Sequence, residues 1–281
     1  MKCSSFYSVL VLIITLCTLL ITSPLSAQSI WLDQDKNNSI AIEILKPKFD
    51  SYTEYTFVSS TIFLSGRHAV NENIILIVEL PFAHCGYRYY DWWWWDTEIS
   101  ETIFGNPYLG VEVSGHESPV FGEFGLRLPL TPEDKFFSTT FGVFSDYNRF
   151  EAFIPNIVSL TAKGNYRYIY NKVVSYRLRL GPTLWINTNR YGNDTELLLD
   201  YSGQIEYKDE PVTFIIGISG RFIVSAPNLA FHAKDAHQIG IAGSVGIGSF
   251  RPGLFFQTPI DKKSYYLLSI VYGLNLSYQL P

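Results

Sequence analysis

Charged side chains at alternate positions are the clearest chemical signal in this chain. Lys163 and Arg167 share a parity with Ser159, Thr161 and Asn165, while Leu160, Ala162, Tyr166 and Tyr168 take the other. Arg177 and Arg179 alternate in the same way with Tyr176, Leu178 and Leu180, and Glu196, Asp200 and Glu206 with Leu197, Leu199, Tyr201 and Ile205. Successive side chains of an extended strand point to opposite faces, so this spacing gathers each set of charges into a ladder on one face. Glu43, Glu79, Glu112, Glu123, Arg127, Arg221 and Arg251 fall on the polar face of their own segments. Ladders of opposite sign on neighbouring strands can do two kinds of electrostatic work. They can pair to brace a narrow interior, or set up a transverse field that orients and selects a solute.

Nucleophilic and metal chemistry have weaker support. His84, His232 and His237 are expected near the external rim, and Ser145-Asp146 in an external loop. A hydrolase can assemble a nucleophile, a base and an orienting group from such parts, but no motif fixes their spacing. His232 and His237 lack a closely spaced third ligand. The glycine-rich stretch 240–248 continues an alternating segment and no helix follows it, so it does not read as a phosphate loop. No catalytic, cofactor-binding or metal-ligating residue is expected, and a net charge of −5 gives no sign of nucleic-acid binding.

Aromatic residues make up 16% of the chain against 17% charged, a proportion that suits the interfacial girdles of a membrane barrel. Trp92, Trp93, Trp94 and Trp95 run consecutively and cannot share one face of a strand, so alternation is expected to stop there, in an external loop over 84–105. These tryptophans are candidates for contact with lipopolysaccharide, a ligand or the barrel's own mouth. A second long connection, 131–155, carries Phe136, Phe137, Phe141, Phe144, Tyr147, Phe150 and Phe153 among acidic residues. It is too aromatic for simple disorder and is able to fold inward as a constriction or latch.

The elements that would position these residues are strands. The last stretch, 268–280, places Leu268, Ile270, Tyr272, Leu274, Leu276, Tyr278 and Leu280 on one face and polar residues on the other, with Val271 as the exception. About twelve such segments are expected, at 39–47, 56–67, 72–83, 106–115, 119–130, 156–170, 173–187, 195–208, 211–224, 237–248, 251–259 and 266–280. Connections after even-numbered strands are short and those after odd-numbered strands mostly long, the asymmetry of outer-membrane barrels. The fold class is therefore all-β: a transmembrane, antiparallel, up-and-down β-barrel. An Arg or Lys facing mid-bilayer lipid would cost about 2–4 kcal/mol, so Glu123, Arg127, Lys163, Arg167, Arg177, Arg179, Glu196, Asp200, Glu206 and Arg221 are expected to line the lumen.

The first residues read as an export signal. Lys2 gives a positive start, 9–21 is apolar apart from Thr15, Cys17 and Thr18, Pro24 breaks the run, and Ala27 leaves a small residue before Gln28. As a helix this apolar run spans only about 20 Å, short of the hydrocarbon core of about 30 Å. The expected organisation is a signal peptide over 1–27 and a barrel over 28–281, delivered to the bacterial outer membrane. Cys3 and Cys17 leave with the signal, so Cys85 remains without a disulfide partner.

Two short stretches resemble a known family. Gly105-Asn106-Pro107-Tyr108-Leu109-Gly110, followed by Gly122-Glu123-Phe124-Gly125-Leu126-Arg127-Leu128-Pro129-Leu130, is similar to the outer-membrane transporter-like barrels filed under the meta-pathway of phenol degradation. Gly273-Leu274-Asn275-Leu276-Ser277-Tyr278 looks like that family's closing strand, whereas Leu280-Pro281 departs from the terminal aromatic expected of an assembly signal. The resemblance implies a barrel that passes small, often apolar, compounds, with no cofactor and no catalytic residues carried over. Expected partners are outer-membrane lipid, lipopolysaccharide, an unidentified small solute, and the barrel-assembly machinery during insertion. The alternative is a non-conducting surface barrel that binds a ligand or envelope partner through its aromatic external loops, with a rim hydrolase as a distant third.

The loop asymmetry places His116 in a periplasmic turn. A cysteine substituted at His116 is expected to resist a membrane-impermeant thiol reagent applied to intact cells, and labelling from outside would reverse the orientation.

Overall fold

A computed structural model describes residues 38–49, 54–90, 96–115, 118–189, 195–225, 235–261 and 268–280. The signal segment and Trp92, Trp93, Trp94 and Trp95 lie outside the described residues. The wall is a closed antiparallel barrel of 12 strands. Around it run β1 (Ser39–Phe49), β3 (Ser60–Asn71), β4 (Ile74–Tyr90), β6 (Tyr108–Ser114), β7 (Val120–Arg127), β8 (Ile157–Ile169), β9 (Val174–Asn187), β10 (Thr195–Asp209), β11 (Val212–Ile223), β12 (Asp235–Val245), β13 (Phe250–Pro259) and β14 (Leu268–Gln279), which returns to β1. Where β4 meets β6 the wall closes without a free edge, the condition for placing strands in lipid. The short turns and both ends of the wall, joined by Leu280 N–H donating to the Asn38 carbonyl at 3.1 Å, share one end of the barrel.

Alternation decides which face is wet. Outward positions such as Ile40, Ile42 and Ile44 on β1, Leu178 and Leu180 on β9, Phe214, Ile216 and Ile218 on β11, and Leu274 and Leu276 on β14 are exposed and apolar. The intervening positions, including Glu43, Arg177, Thr213, Ser219, Gln238, Gln257 and Asn275, are buried inside.

Four departures from the expected strands have local causes. The segment 84–105 is not a loop but a long hairpin: β5 (Asp96–Phe104) pairs with Phe82 to Tyr90 of β4, above the stretch of β4 that pairs with β6. β5 and β6 thus form one wall strand, broken at Gly105-Asn106-Pro107. β3 starts at Ser60 rather than 56, the preceding β2 (Glu54–Tyr55) being added to the upper part of β4. β7 ends at Arg127 rather than 130: Leu128 N–H donates to the Pro107 carbonyl at 3.1 Å, Pro129 has no N–H for the ladder, and the chain turns inward. On β14 the register with β1 slips between Lys48 and Phe49, and across this slip Leu268 faces inward instead of lipid. Val271 lies before the slip, in register and on the inward face with Gly273 and Asn275, and is apolar because it packs into an apolar patch inside the barrel.

The inward-turning segment, 128–156, fills the middle of the barrel. It contains helix α1 (Phe136–Val143) and a 3-10 turn, Tyr147–Ala152. No side chain of the segment caps α1; Glu101 of β5 does so instead, its Oε2 accepting from Phe137 and Ser138 N–H at 3.2 Å each. The 3-10 turn is capped locally by Asp146, whose side chain accepts from Asn148 N–H at 2.8 Å. Tyr147, Ala152 and Phe153 pack on an apolar patch of the inner wall made by Leu45, Phe63, Ala83, Ile103, Phe255, Leu268 and Val271.

Phe255, fully buried, lies across the inner face of Gly273 on the neighbouring strand, where a Cβ would run into its ring. Gly273→Val is therefore expected to displace Phe255 and lower the thermal unfolding midpoint in detergent, at a cost of about 1–3 kcal/mol for overpacking. An unchanged midpoint would mean that this patch is not packed.

Candidate functional site

The residues that bring the inward segment and the wall together are charged and buried. Arg149, on the 3-10 turn, is 5% exposed; its Nη1 donates to Glu43 Oε1 and to Glu79 Oε2, both at 2.9 Å. Nη2 donates to Glu43 Oε2 at 3.2 Å and Nε to Asp146 Oδ2 at 2.8 Å. The guanidinium lies over the Phe63 ring, 3.6 Å from its centroid. Burial works against the charged form of Arg149, but the neighbouring Glu43, Asp146 and Glu79 outweigh it and hold the group well above its ordinary pKa.

From Arg149 the pairs run on across the lumen. Arg127 Nη2 donates to Glu79 Oε1 at 2.5 Å, and its Nε stands 3.8 Å from Glu151 Oε1. Glu151, also on the 3-10 turn, accepts from Arg221 Nη1 at 2.8 Å; Arg221 Nε is 3.1 Å from Asp200 Oδ1. Asp200 Oδ2 in turn meets Lys163 Nζ at 3.0 Å and Thr183 Oγ1 at 2.6 Å. Beside this chain Arg179 pairs with Glu123, which also accepts from the Tyr108 hydroxyl at 2.7 Å. Four wall strands, β1, β4, β7 and β11, are thereby tied to one segment through Arg149 and Glu151, and Asp146 braces Arg149 from within it. Exposed pairs contribute about 0–1 kcal/mol, but removing one member of a buried set costs about 3–5 kcal/mol because its partners are left charged and dry.

Asn106, in the break between β5 and β6, holds the two ends of the segment. Its Nδ2 donates to the carbonyls of Glu151 and Ile154, at 2.7 Å each. Its Oδ1 accepts from Leu130 N–H at 2.7 Å and Thr131 N–H at 2.8 Å, and its own N–H donates to the Ala152 carbonyl at 2.7 Å. Gly105 before it leaves room for that approach, since a Cβ there would collide with the Ala152 carbonyl and the Phe153 ring.

Space in the lumen is unequal on the two sides of these contacts. Among Glu79, Tyr108, Glu123, Arg127, Lys163 and Arg179 the cavity is only about 50 Å³, room for a few water molecules but not for a ring. A second cavity, towards the short-turn end, measures about 600 Å³.

Of the residues picked from the sequence, Glu123, Arg127, Lys163, Arg177, Arg179, Asp200, Glu206 and Arg221 come together in the lumen, and Arg167 lies at its short-turn mouth. Glu196 does not join them: it accepts from the Ser225 hydroxyl at the long-loop rim. The expected facing of Arg177 and Arg179 with Glu196 and Asp200 is also replaced. The register sets Arg177 opposite Gln204 and Arg179 opposite Ser202, so Arg177 reaches Glu206 at 2.7 Å and Arg179 crosses to Glu123. Asp146, Arg149, Glu151 and Asn106 were missed, because none belongs to an alternating run; the Gly-Asn-Pro break was the one visible signal. Ser145 is inside rather than external, its hydroxyl 2.6 Å from Thr61 Oγ1 and donating to the Phe141 carbonyl at 2.9 Å, neither of them a base. His84 meets Thr102 at 2.9 Å, His237 meets Tyr201 at 2.7 Å and Asp235 at 3.0 Å, and His232 lies outside the described residues.

No protein-family model and no curated protein sequence matches the chain. Solved structures do. The chain is similar to the COG4313 outer membrane channel from Pseudomonas putida F1, with TM-score 0.58 and 10% identity over 89% of this chain and 98% of that one. It is similar to the NanC porin, with TM-score 0.53 and 8% identity over 86% of this chain and 100% of that one. The translocator domain of the autotransporter NalP from Neisseria meningitidis gives TM-score 0.53 and 8% identity over 88% and 90%. At such identities the likeness establishes the outer-membrane barrel fold, which a channel, a porin and a translocator share.

Arg149→Gln is expected to destabilise the protein by about 3–5 kcal/mol, seen as a lower unfolding midpoint. Asn106→Asp, which turns a carboxylate oxygen toward two carbonyls, is expected to free 131–155 for limited proteolysis while the wall strands stay resistant. Equal resistance in wild type and variant would show that Asn106 does not hold the segment.

Proposed function

We propose that this chain is an outer-membrane channel for a small solute, exported by its signal peptide and seated among outer-membrane lipid and lipopolysaccharide. In this reading the segment 128–156 is the constriction, and passage requires it to shift. The observation that carries the reading is the lumen itself: a charged cavity of about 600 Å³ on the short-turn side, and one of only about 50 Å³ where the segment meets the wall. There Asp146, Asn148, Arg149 and Glu151 of the segment close against Glu79, Arg127 and Asp200 of the wall.

The chemistry of the contact supports movement. The segment brings Asp146, Arg149 and Glu151, and the wall opposes them with Glu43, Glu79, Arg127 and Arg221. When the segment leaves, wall groups of both signs remain, with Arg127 already on Glu79 and Arg221 already on Asp200. An opened lumen would be lined by these opposed charges, a surface that water and a polar or charged solute can wet. Resemblance to transporter-like barrels and structural likeness to a channel and a porin point the same way.

A second reading has one observation behind it. Every charge that the segment carries into the lumen is paired, so the same contacts would serve a permanently closed barrel that binds partners at its rim. Planar-bilayer recording separates the two. The wild type is expected to show low conductance with intermittent opening, and Asn106→Asp or deletion of 132–154 a larger, sustained one. Folded variants that pass neither ions nor a fluorescent solute in liposomes would favour the closed barrel.

A further inference from the structure

The cavity at the short-turn end is lined by Arg67, Glu112, Arg167 and Arg177, together with apolar surface from Ile75 and Phe121. Arg67, on β3, is 5% exposed. Its Nη2 donates to both carboxylate oxygens of Glu112 at 3.1 Å, while its buried Nε and Nη1 meet no acceptor among the described residues. A guanidinium offers five donors in a planar fork, and a buried charged N–H without an acceptor is costly. On the neighbouring wall Arg167 and Arg177 stand directly opposite one another on β8 and β9. Arg177 is held by Glu206 at 2.7 Å, which fixes its place at the edge of the cavity. Three arginines converge on a space that holds more than water, with Glu112, the turn residue Glu72 and, behind Arg177, Glu206 as the acidic groups beside them.

We propose that this vestibule is a binding site for a small carboxylate with an apolar body. Arg67 donates to the carboxylate through the N–H groups that Glu112 leaves unused. Arg167 and Arg177 supply the surrounding positive potential, and Ile75 and Phe121 take the apolar part. A guanidinium fork matches a carboxylate in shape as well as charge. The identification of this anion as the transported solute rests on the channel reading; the site does not.

Equilibrium binding needs no conduction, so the two fail separately. Benzoate is titrated calorimetrically into the purified full chain in detergent, with benzyl alcohol as the uncharged control. Wild type is expected to bind benzoate saturably and benzyl alcohol at least about tenfold more weakly, the loss of a charge-assisted hydrogen bond. Glu112→Gln removes the competing carboxylate and is expected to tighten benzoate about tenfold. Arg67→Gln alone leaves Glu112 buried without a partner and is liable to misfold. The double variant Arg67→Gln/Glu112→Gln avoids that stray charge; it is expected to keep the wild-type unfolding midpoint and lose benzoate. No saturable benzoate binding by wild type, or equal binding by the double variant, would overturn the site. Equal affinity for benzyl alcohol would show an apolar cavity that does not read charge.

Discussion

A charge on a lipid-embedded wall can be satisfied only on the inner side, and this constraint organises the molecule. Twelve strands place Glu43, Glu79, Glu123, Arg127, Lys163, Arg179, Asp200 and Arg221 inside one narrow space. Charges so placed must find partners or water, because an unpaired ion in a dry interior is far more costly than a weak pair. Here the wall pairs with itself only in part. Arg149 and Glu151, carried in by the segment 128–156, complete it. The segment is therefore a component of the electrostatic balance, and its position is set by opposite charges on several strands at once.

The backbone supplies the second half of that arrangement. β7 stops where Pro129 cannot continue the ladder, and the wall strand made of β5 and β6 is broken beside it at Gly105-Asn106-Pro107. Two local failures of pairing would each leave buried backbone groups unsatisfied. Asn106 resolves both, donating to carbonyls from the far end of the segment and accepting from N–H groups at its start. An amide is suited to this place because it carries donors and acceptor together; a carboxylate or an alkyl group would satisfy half of these contacts or none. The same break gives Phe153 its seat against Gly105 and Phe63.

Function follows from where the space remains. The long-loop half of the barrel is filled by α1, the 3-10 turn and their apolar contacts, while the short-turn half stays open and rich in arginine. In the proposed reading a solute would meet a gate of paired charges and then the arginine-lined chamber. The likeness to a channel and a porin, at identities of 10% and 8%, is one of fold.

The period of two, the short and long connections and the inward charges of β8 to β11 were legible in the sequence, because each is a property of a single strand or hairpin. So was the class of the fold. What alternation did not determine was who pairs with whom. Arg179 meets Glu123 across the lumen rather than a residue of β10, and Glu196 leaves the lumen for the rim, because barrel curvature and strand register set those distances. Leu268 changed faces because a register slip of one residue inverts every side chain beyond it. Asp146, Arg149 and Glu151 gave no periodic signal, since a loop has no faces until something packs against it. Their role was decided by the tertiary structure alone, where residues separated by 106 positions, Glu43 and Arg149, share a buried ion pair.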